Sequence, residues 1–265
     1  MIVALDVGNT NMKLGIVRGG DVSGSRRAAT PPVAMAEGLE ATLDQMLHED
    51  GATLGEVQEI VLASVVPAVS DAVIEVAARR GISLLTADSS TVPLPIRIDQ
   101  PAQVGDDRLV NALAAARLYG KPAIVVDLGT ATTFDVVAAD GAFIGGAIAP
   151  GLGIGLDVLA TRTAQLPRVA LALPERAIGR DTVSAMQSGA LIGYLGLVSE
   201  LVRAISAEIA LDGGNPPKVI LTGGFSNTEW ATALPGVDAI DPLLTLRGLA
   251  ILHSEVSRQQ SVANA

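Results

Sequence analysis

The chain has no cysteine and only two histidines, His48 and His253. The first absence rules out a disulfide framework, a thiol nucleophile and a cysteine metal site. The second excludes a His-rich zinc centre and argues against a His-based triad. Basic residues are outnumbered, 18 Lys and Arg against 28 Asp and Glu, for a formal charge of −10. That balance disfavours nonspecific contact with nucleic acid or an anionic membrane, so neither is expected as a partner. Gly, Pro, Asp or Thr interrupts the longest apolar stretches, and none reads as a membrane span. The chain goes straight into the run Ile2 to Leu5 without a basic region or signal-like core, which leads to the expectation of a cytoplasmic protein. No GxxxxGK[ST] loop occurs, and Gly151-Leu152-Gly153-Ile154-Gly155 lacks the strand and helix context of a dinucleotide fingerprint.

What is present is one pattern written twice. Ile2-Val3-Ala4-Leu5-Asp6-Val7-Gly8-Asn9-Thr10 and Ile124-Val125-Val126-Asp127-Leu128-Gly129-Thr130-Ala131 each run from apolar residues to an aspartate, one more apolar residue, a glycine and small polar residues. A second apolar run follows each, Met12 to Val17 and Phe134 to Ala138. The pattern predicts a central strand, a tight glycine turn and a hairpin strand, once per half. A strand can hold its terminal carboxylate at the mouth of a cleft, and a glycine turn lets backbone N–H groups approach an anion. A pair of such turns suits a nucleotide phosphate tail and its metal. The competing reading is two ordinary hairpins ending in turn-forming Asp-x-Gly.

With 265 residues the chain is long enough for two domains. Strands are expected at Val22 to Ala28, Ile60 to Val66 and Ile82 to Leu85. Helices are expected from Pro31-Pro32 to about Glu49 and from Asp71 to Arg79. Strands alternating with helices indicate an α/β fold. Thr86 to Gly105 is rich in Ser, Thr, Pro, Asp and Gln and reads as extended loop. Asp106-Asp107-Arg108 then opens a helix through Tyr119, with its acidic residues at the favourable end. Gly120-Lys121-Pro122 ends that helix, placing the domain boundary near residue 118. The second half repeats the three-strand order at Ile124 to Asp127, Thr132 to Ala138 and Ala142 to Ile148. Pro150 to Gly155 reads as mobile or tightly turned, before a helix from Leu156 to about Thr163. Residues 164–180 read as irregular. Thr182 reads as the N-cap of a helix that covers Ser184 to Leu191 and extends towards Ala210. A strand, Val219 to Leu221, and a terminal helix, Leu243 to His253, complete the chain.

Several side chains can carry chemistry. Asp6 and Asp127 fit Mg–phosphate and cation chemistry, against the alternative of turn or cap residues. Asn9, Thr10 and Lys13 can add phosphate contacts, although Lys13 also fits a surface position in a strand. Asp107 is placed to accept the proton of a substrate hydroxyl attacking a γ-phosphate, and Arg108 to bind a carboxylate bidentately. Helix-start electrostatics is the alternative for both, and Asp106 is the second choice as base. Gly223-Gly224 allow an adenosine to lie across the backbone. Trp230, the sole tryptophan, fits structural packing better than contact with a base.

These pieces occur in one order. They are Asp6-x-Gly8-Asn9-Thr10-Asn11-x-Lys13-x-Gly15, Gly105-x-Asp107-Arg108, Asp127-x-Gly129-Thr130-Ala131-x-Thr133 and Gly145-Gly146-x-Ile148-x-Pro150-Gly151. Thr163-Ala164-x-Leu166-Pro167, Asp181-Thr182, Gln187-Ser188-Gly189, Thr222-Gly223-Gly224 and Leu244-Thr245-Leu246-x-Gly248-Leu249 complete the set. The ensemble, over nearly the whole chain, resembles the type III pantothenate kinase family. That resemblance implies the duplicated ribonuclease-H-like fold of the acetate kinase, sugar kinase, Hsp70 and actin type, with mixed central sheets flanked by helices. The domains would be 1–118, with the first phosphate loop and the substrate-side loop, and 119–265, with the second phosphate loop, the adenosine site and the dimer interface.

The activity implied is ATP-dependent phosphorylation of the 4′-hydroxyl of pantothenate, the first step of coenzyme A synthesis, in a homodimer. Asp107 would be the general base, with Gly105, Arg108 and Thr182 around pantothenate. Asp6 would support Mg–ATP, and Gly8, Asn9, Thr10 and Lys13 would form the first phosphate region. Asp127 would take a monovalent cation, K⁺ or NH₄⁺, with Gly129 and Thr130 near the ATP phosphates. The chain departs from the family at Ile98-Asp99-Gln100-Pro101, where a Tyr-Asp-Asn-Pro-like stretch is usual, and at Asp181, where Asn is usual. The lost tyrosine motivates a related kinase with another hydroxyl acceptor as the alternative. A nonenzymatic nucleotide-binding regulator is the further alternative.

Overall fold

A computed structural model describes residues 1–211 and 215–263. The chain divides into two compact units, Met1–Leu118 with Leu243 onward, and Tyr119–Pro242. The sequence reading assigns 119–265 to the second module; the packing groups Leu243 onward with the first unit instead.

The first unit is built on a five-stranded sheet of β1 (Ile2–Val7), β2 (Asn11–Arg18), β3 (Asp21–Ala29), β4 (Glu59–Ser64) and β5 (Ser83–Thr86), in the order β3-β2-β1-β4-β5. The first three strands are antiparallel neighbours, while β4 and β5 add in parallel. Alternation sorts the strand residues onto two faces. Val3, Leu5, Val7, Leu62, Met12, Leu14 and Ile16 form one core with helices α1 (Ala36–His48) and α2 (Pro67–Arg80). On the opposite face small residues, among them Gly15, admit α3 (Asp106–Leu118) and α7 (Leu244–Ala263). A Cβ at Gly15 would stand 3.2 Å from Leu246 Cδ1. A buried Thr245-to-Asn111 hydrogen bond of 2.9 Å pins α7 to α3. Asp6 and Lys13 share the parity of Ala4 and Gly15, so they lie on this second face.

The second unit repeats the topology. Strands β6 (Ala123–Leu128), β7 (Ala131–Val137), β8 (Phe143–Pro150), β9 (Lys218–Thr222) and β10 (Ala239–Ile240) run β10-β9-β6-β7-β8, again three antiparallel and two added in parallel. Ile124, Val126, Leu128, Phe134 and Leu221 pack with α4 (Leu152–Arg162), α5 (Thr182–Leu211) and α6 (Glu229–Thr232). Trp230 fills this core edge-on to Tyr194, with ring centroids 5.8 Å apart. Two sheets of this order, each flanked by helices, make the duplicated ribonuclease-H-like fold.

Three local expectations are corrected. Helix α1 starts at Ala36 rather than at Pro31-Pro32, because Thr30 is still hydrogen-bonded to the β1–β2 turn. The glycine-rich segment after Pro150 is helical from Leu152: burial of Leu152 and Leu156, four residues apart, outweighs the entropy cost of Gly153 and Gly155. The cap of α5 is Asp181 and not Thr182, since the Asp181 carboxylate accepts the Ser184 N–H at 2.9 Å and its hydroxyl at 2.8 Å. These bonds hold the Asp181 carboxyl below its usual pKa.

Helix α5 also meets the length and hydropathy of a membrane span, with mean hydropathy 1.5 and 17% of its most apolar window buried. Glycines and serines interrupt its apolar residues, so no single run in the sequence shows it.

Candidate active site

In the first unit Asp6 faces Lys13 across the β1–β2 hairpin and Ala63 across β4. Lys13 Nζ lies 3.9 Å from Asp6 Oδ2, and both side chains are largely buried. Gly8 N–H donates to Asn11 O at 3.0 Å, closing a turn that leaves Asn9 and Thr10 exposed. Thr30, just beyond β3, clamps this turn. Its N–H donates to Thr10 O at 3.0 Å and its hydroxyl to Gly8 O at 2.6 Å.

The first turn of α3 supplies the acidic group on the same sheet face. Asp107 Oδ1 accepts the Arg108 N–H at 2.9 Å. Gly105 gives this carboxylate its room, because a Cβ there would come within 2.6 Å of Asp107 Oδ1. Burial raises the Asp107 pKa; the Arg108 N–H, the Arg108 guanidinium and the Lys13 ammonium act against the rise without cancelling it. Burial likewise pushes Asp106 up to about 6, with the charges of Asp107 and Asp88 adding to it and a Ser64 N–H opposing it. At Asp88 burial also acts upward, but hydrogen bonds from Ser90 and Thr91 prevail and hold its pKa low.

In the second unit Asp127 occupies the place of Asp6. Its register partners are Thr133 on β7 and Thr222 on β9. Gly129 N–H donates to Ala131 O at 3.2 Å, making a turn one residue shorter than the first. Gly151 does here what Thr30 does in the first unit, donating its N–H to Thr130 O at 3.1 Å. A Cβ at Gly151 would fall 2.2 Å from that same oxygen, so only glycine permits the approach. Gly223, at φ +93°, presses on the Asp127 carboxylate: its Cβ would lie 2.4 Å from Oδ1 and 2.6 Å from Leu128 N. Phe225 N–H to Leu128 O, 3.2 Å, and Ser226 Oγ to Gly223 O, 2.8 Å, hold this β9 turn against the end of β6. Gly224 is exposed beside it, and Thr182 is exposed at the first residue of α5. Behind the hairpin, burial raises the Tyr194 phenol pKa; a 2.6 Å hydrogen bond with Thr132 opposes this and the Asp127 charge adds to it.

The structure thus gathers Asp6, Lys13, Gly105, Asp107 and Arg108 at one end of the first sheet. Asp127, Gly129, Thr130 and Gly223 gather at the equivalent end of the second. Thr30, Gly151 and Ser226 hold these turns and are absent from the residues proposed from sequence. Thr30 and Gly151 each follow directly on the third strand of a unit, and the strand ends read from sequence, Ala28 and Ile148, stop short of the observed Ala29 and Pro150. Among the described residues no group of three or more His, Asp or Glu is placed to hold a metal. A divalent ion at Asp6 would therefore complete its oxygen shell with phosphates and water, as Mg²⁺ commonly does. Asp127, with hydroxyl-bearing register partners and two glycines at its carboxylate, suits a cation held by oxygens.

Residues 2–204, more than half of the chain, match the family model for type III pantothenate kinase. The chain belongs to the type III pantothenate kinase family. The type III pantothenate kinase of Moorella thermoacetica is 41% identical over 255 residues, covering 96% of this chain and 98% of its own. That of Paramagnetospirillum magneticum is 42% identical over 257 residues, covering 96% of each. Among solved structures, a conserved Campylobacter jejuni protein assigned to the Baf family of transcriptional activators superposes with TM-score 0.60 at 18% identity, covering 97% of this chain and 99% of its own. MreB5 of Spiroplasma citri, solved with ADP bound, gives 0.55 at 13% identity over 98% of each chain. At those identities the likeness is one of fold, and it is the same duplicated architecture. Within this pantothenate kinase family fold, the two Asp-x-Gly motifs and Thr222-Gly223-Gly224 fall on strand ends and turns, Asp107-Arg108 on the first turn of α3, and Gln187-Ser188-Gly189 and Leu244 to Leu249 inside α5 and α7.

Proposed function

We propose that the chain transfers the γ-phosphoryl group of ATP to the 4′-hydroxyl of pantothenate, giving 4′-phosphopantothenate at the start of coenzyme A synthesis, with Asp107 as general base. The observation that carries this assignment is the Asp107 carboxylate itself. It is half-buried, raised in pKa, oriented by the Arg108 N–H at 2.9 Å and within the field of Lys13. A carboxylate so placed accepts the hydroxyl proton as the oxygen attacks phosphorus.

Arg108 pairs with the pantothenate carboxylate, and Gly105 and Thr182 line the rest of the acceptor site. Gly8, Asn9 and Thr10 present the first turn to the phosphates, with the Lys13 ammonium adding positive charge. Gly129 and Thr130 present the second turn, and Gly223 and Gly224 lie along the adenosine. Asp6 would hold Mg²⁺ and Asp127 K⁺ or NH₄⁺; when bound, these ions offset the negative charge of the phosphate oxygens.

The protein acts as a homodimer in this reading, through the apolar surface of α4 and α5, where Val158, Val183 and Ile192 are exposed. An exposed apolar surface on a cytoplasmic enzyme suits a second copy. The exposed Glu200–Arg203 ion pair on α5 favours a protein neighbour over lipid.

The test is acceptor-dependent turnover with ATP, Mg²⁺, pantothenate and K⁺ or NH₄⁺. Phosphopantothenate should form, and Asp107→Asn should lower kcat by about 10²- to 10⁴-fold. Wild-type product no higher than that of the Asp107→Asn control would refute the reading. Turnover with a different alcohol would move the assignment to the alternative acceptor suggested by Ile98.

A further inference from the structure

Thr222 is the last residue of β9 and fully buried, and among the described residues its Oγ1 has no hydrogen-bond partner. It stands in register with Asp127 on the neighbouring parallel strand. Register partners on adjacent strands project to the same face, with backbones about 5 Å apart. The next residue, Gly223, takes a positive φ and sits against Asp127 Oδ1. The hydroxyl therefore belongs to the lining around the Asp127 carboxylate. A hydroxyl removed from water without a partner is unfavourable, and valine would fill the same volume without that cost. Its place beside a carboxylate indicates what the missing partner is: a group attracted to both oxygens at once.

We infer that the Thr222 hydroxyl is a second oxygen ligand for the monovalent cation at Asp127. This rests on the assignment of that cation to Asp127. The threonine oxygen offers lone pairs to K⁺ and accepts a hydrogen bond from NH₄⁺. In the first unit Ala63 on β4 holds the corresponding place beside Asp6, and an ammonium, Lys13, stands across the hairpin instead. The sequence thus places a hydroxyl beside the carboxylate of one unit and a fixed positive charge beside that of the other.

The experiment measures Tl⁺, a K⁺ mimic, by ²⁰⁵Tl NMR titration of wild type, Thr222→Val, Thr222→Ser and Asp127→Asn. Each protein is held with Mg²⁺ and a nonhydrolysable ATP analogue at constant ionic strength, and melting is followed in KCl and in choline chloride. Thr222→Val should weaken Tl⁺ binding by about tenfold or more, the scale of one lost hydrogen bond or ligand contact to a charged group. The same variant should melt higher than wild type in choline chloride and gain little from KCl. Thr222→Ser, which keeps the oxygen, should bind Tl⁺ like wild type. A Thr222→Val protein that binds Tl⁺ within about twofold of wild type overturns the inference, whichever way its melting moves. If Asp127→Asn loses Tl⁺ binding in that case, only the role of Thr222 falls. If Asp127→Asn retains it, the placement of the cation at Asp127 falls as well.

Discussion

Asp6 and Asp127 end the central strands of two sheets with the same strand order, yet their surroundings differ. Asp6 looks across its hairpin at Lys13, 3.9 Å away, and Ala63 stands on its other side. Asp127 has the hydroxyl-bearing residues Thr133 and Thr222 in those two places, with Gly223 against its carboxylate. The turns that follow are also held differently. Thr30 gives the first two hydrogen bonds, one from its hydroxyl, whereas Gly151 gives the second one hydrogen bond through an approach that no side chain could share. One duplicated scaffold therefore carries a carboxylate with built-in positive charge and a carboxylate in an oxygen-rich setting. Topology fixes where each stands, and a few neighbouring side chains decide what each can bind.

The contrast between the turns can be broken by substitution. Gly151→Ala drives a Cβ into Thr130 O, a backbone atom that cannot swing away, and overpacking of this kind costs about 1–3 kcal/mol. Chemical denaturation should show that loss, and the displaced turn should weaken nucleotide binding. Thr30→Val removes only one hydrogen bond from the first turn and should cost about 1 kcal/mol. Equal losses at the two positions would mean that the turns are held alike.

Lys13 sharpens the contrast through pH. Burial holds the Asp107 pKa above the ordinary carboxylate range, and the Lys13 charge is one of the influences restraining it. A base must be unprotonated to act, so the acid limb of kcat/KM falls as pH drops through this pKa. Lys13→Met removes a restraining charge and should move that limb to higher pH, a displacement read from the pH profile separately from any loss of ATP affinity. An unmoved limb would show that Lys13 does not act on the base.

Asp106 gives the corresponding effect on stability. Its folded pKa of about 6 is raised, so its contribution to stability is complete below the unfolded carboxylate value and lost as pH rises through 6. Asp106→Asn should therefore melt higher than wild type at pH 8, with the gap closing towards pH 4.

Much of this was legible in the residues. The two Asp-x-Gly strings gave both central strands and both turns, because an apolar run ended by Asp and Gly has few other folds open to it. Asp106-Asp107-Arg108 marked the start of α3 for an electrostatic reason that holds in the structure. The cap of α5 was misplaced by one residue, since Asp181 and Thr182 are both cap formers and only geometry shows which carboxylate or hydroxyl reaches the Ser184 N–H. The clamps Thr30 and Gly151 depend on where strands three deep in each unit end, which local pattern does not specify. In the sequence Thr222 stands out only as the first residue of Thr222-Gly223-Gly224. Its significance comes from register with a strand 95 positions away, as Asp127 pairs with Thr222, and from a hydroxyl that has no partner among the described residues.

The unequal jobs of the two carboxylates are tested most directly by titrating Mg–ATP and K⁺ against initial rate for Asp6→Asn and Asp127→Asn side by side. The account predicts that Asp6→Asn raises the Mg–ATP requirement and leaves half-saturation by K⁺ unchanged, while Asp127→Asn does the reverse. Equal displacement of both titrations in both variants would contradict it.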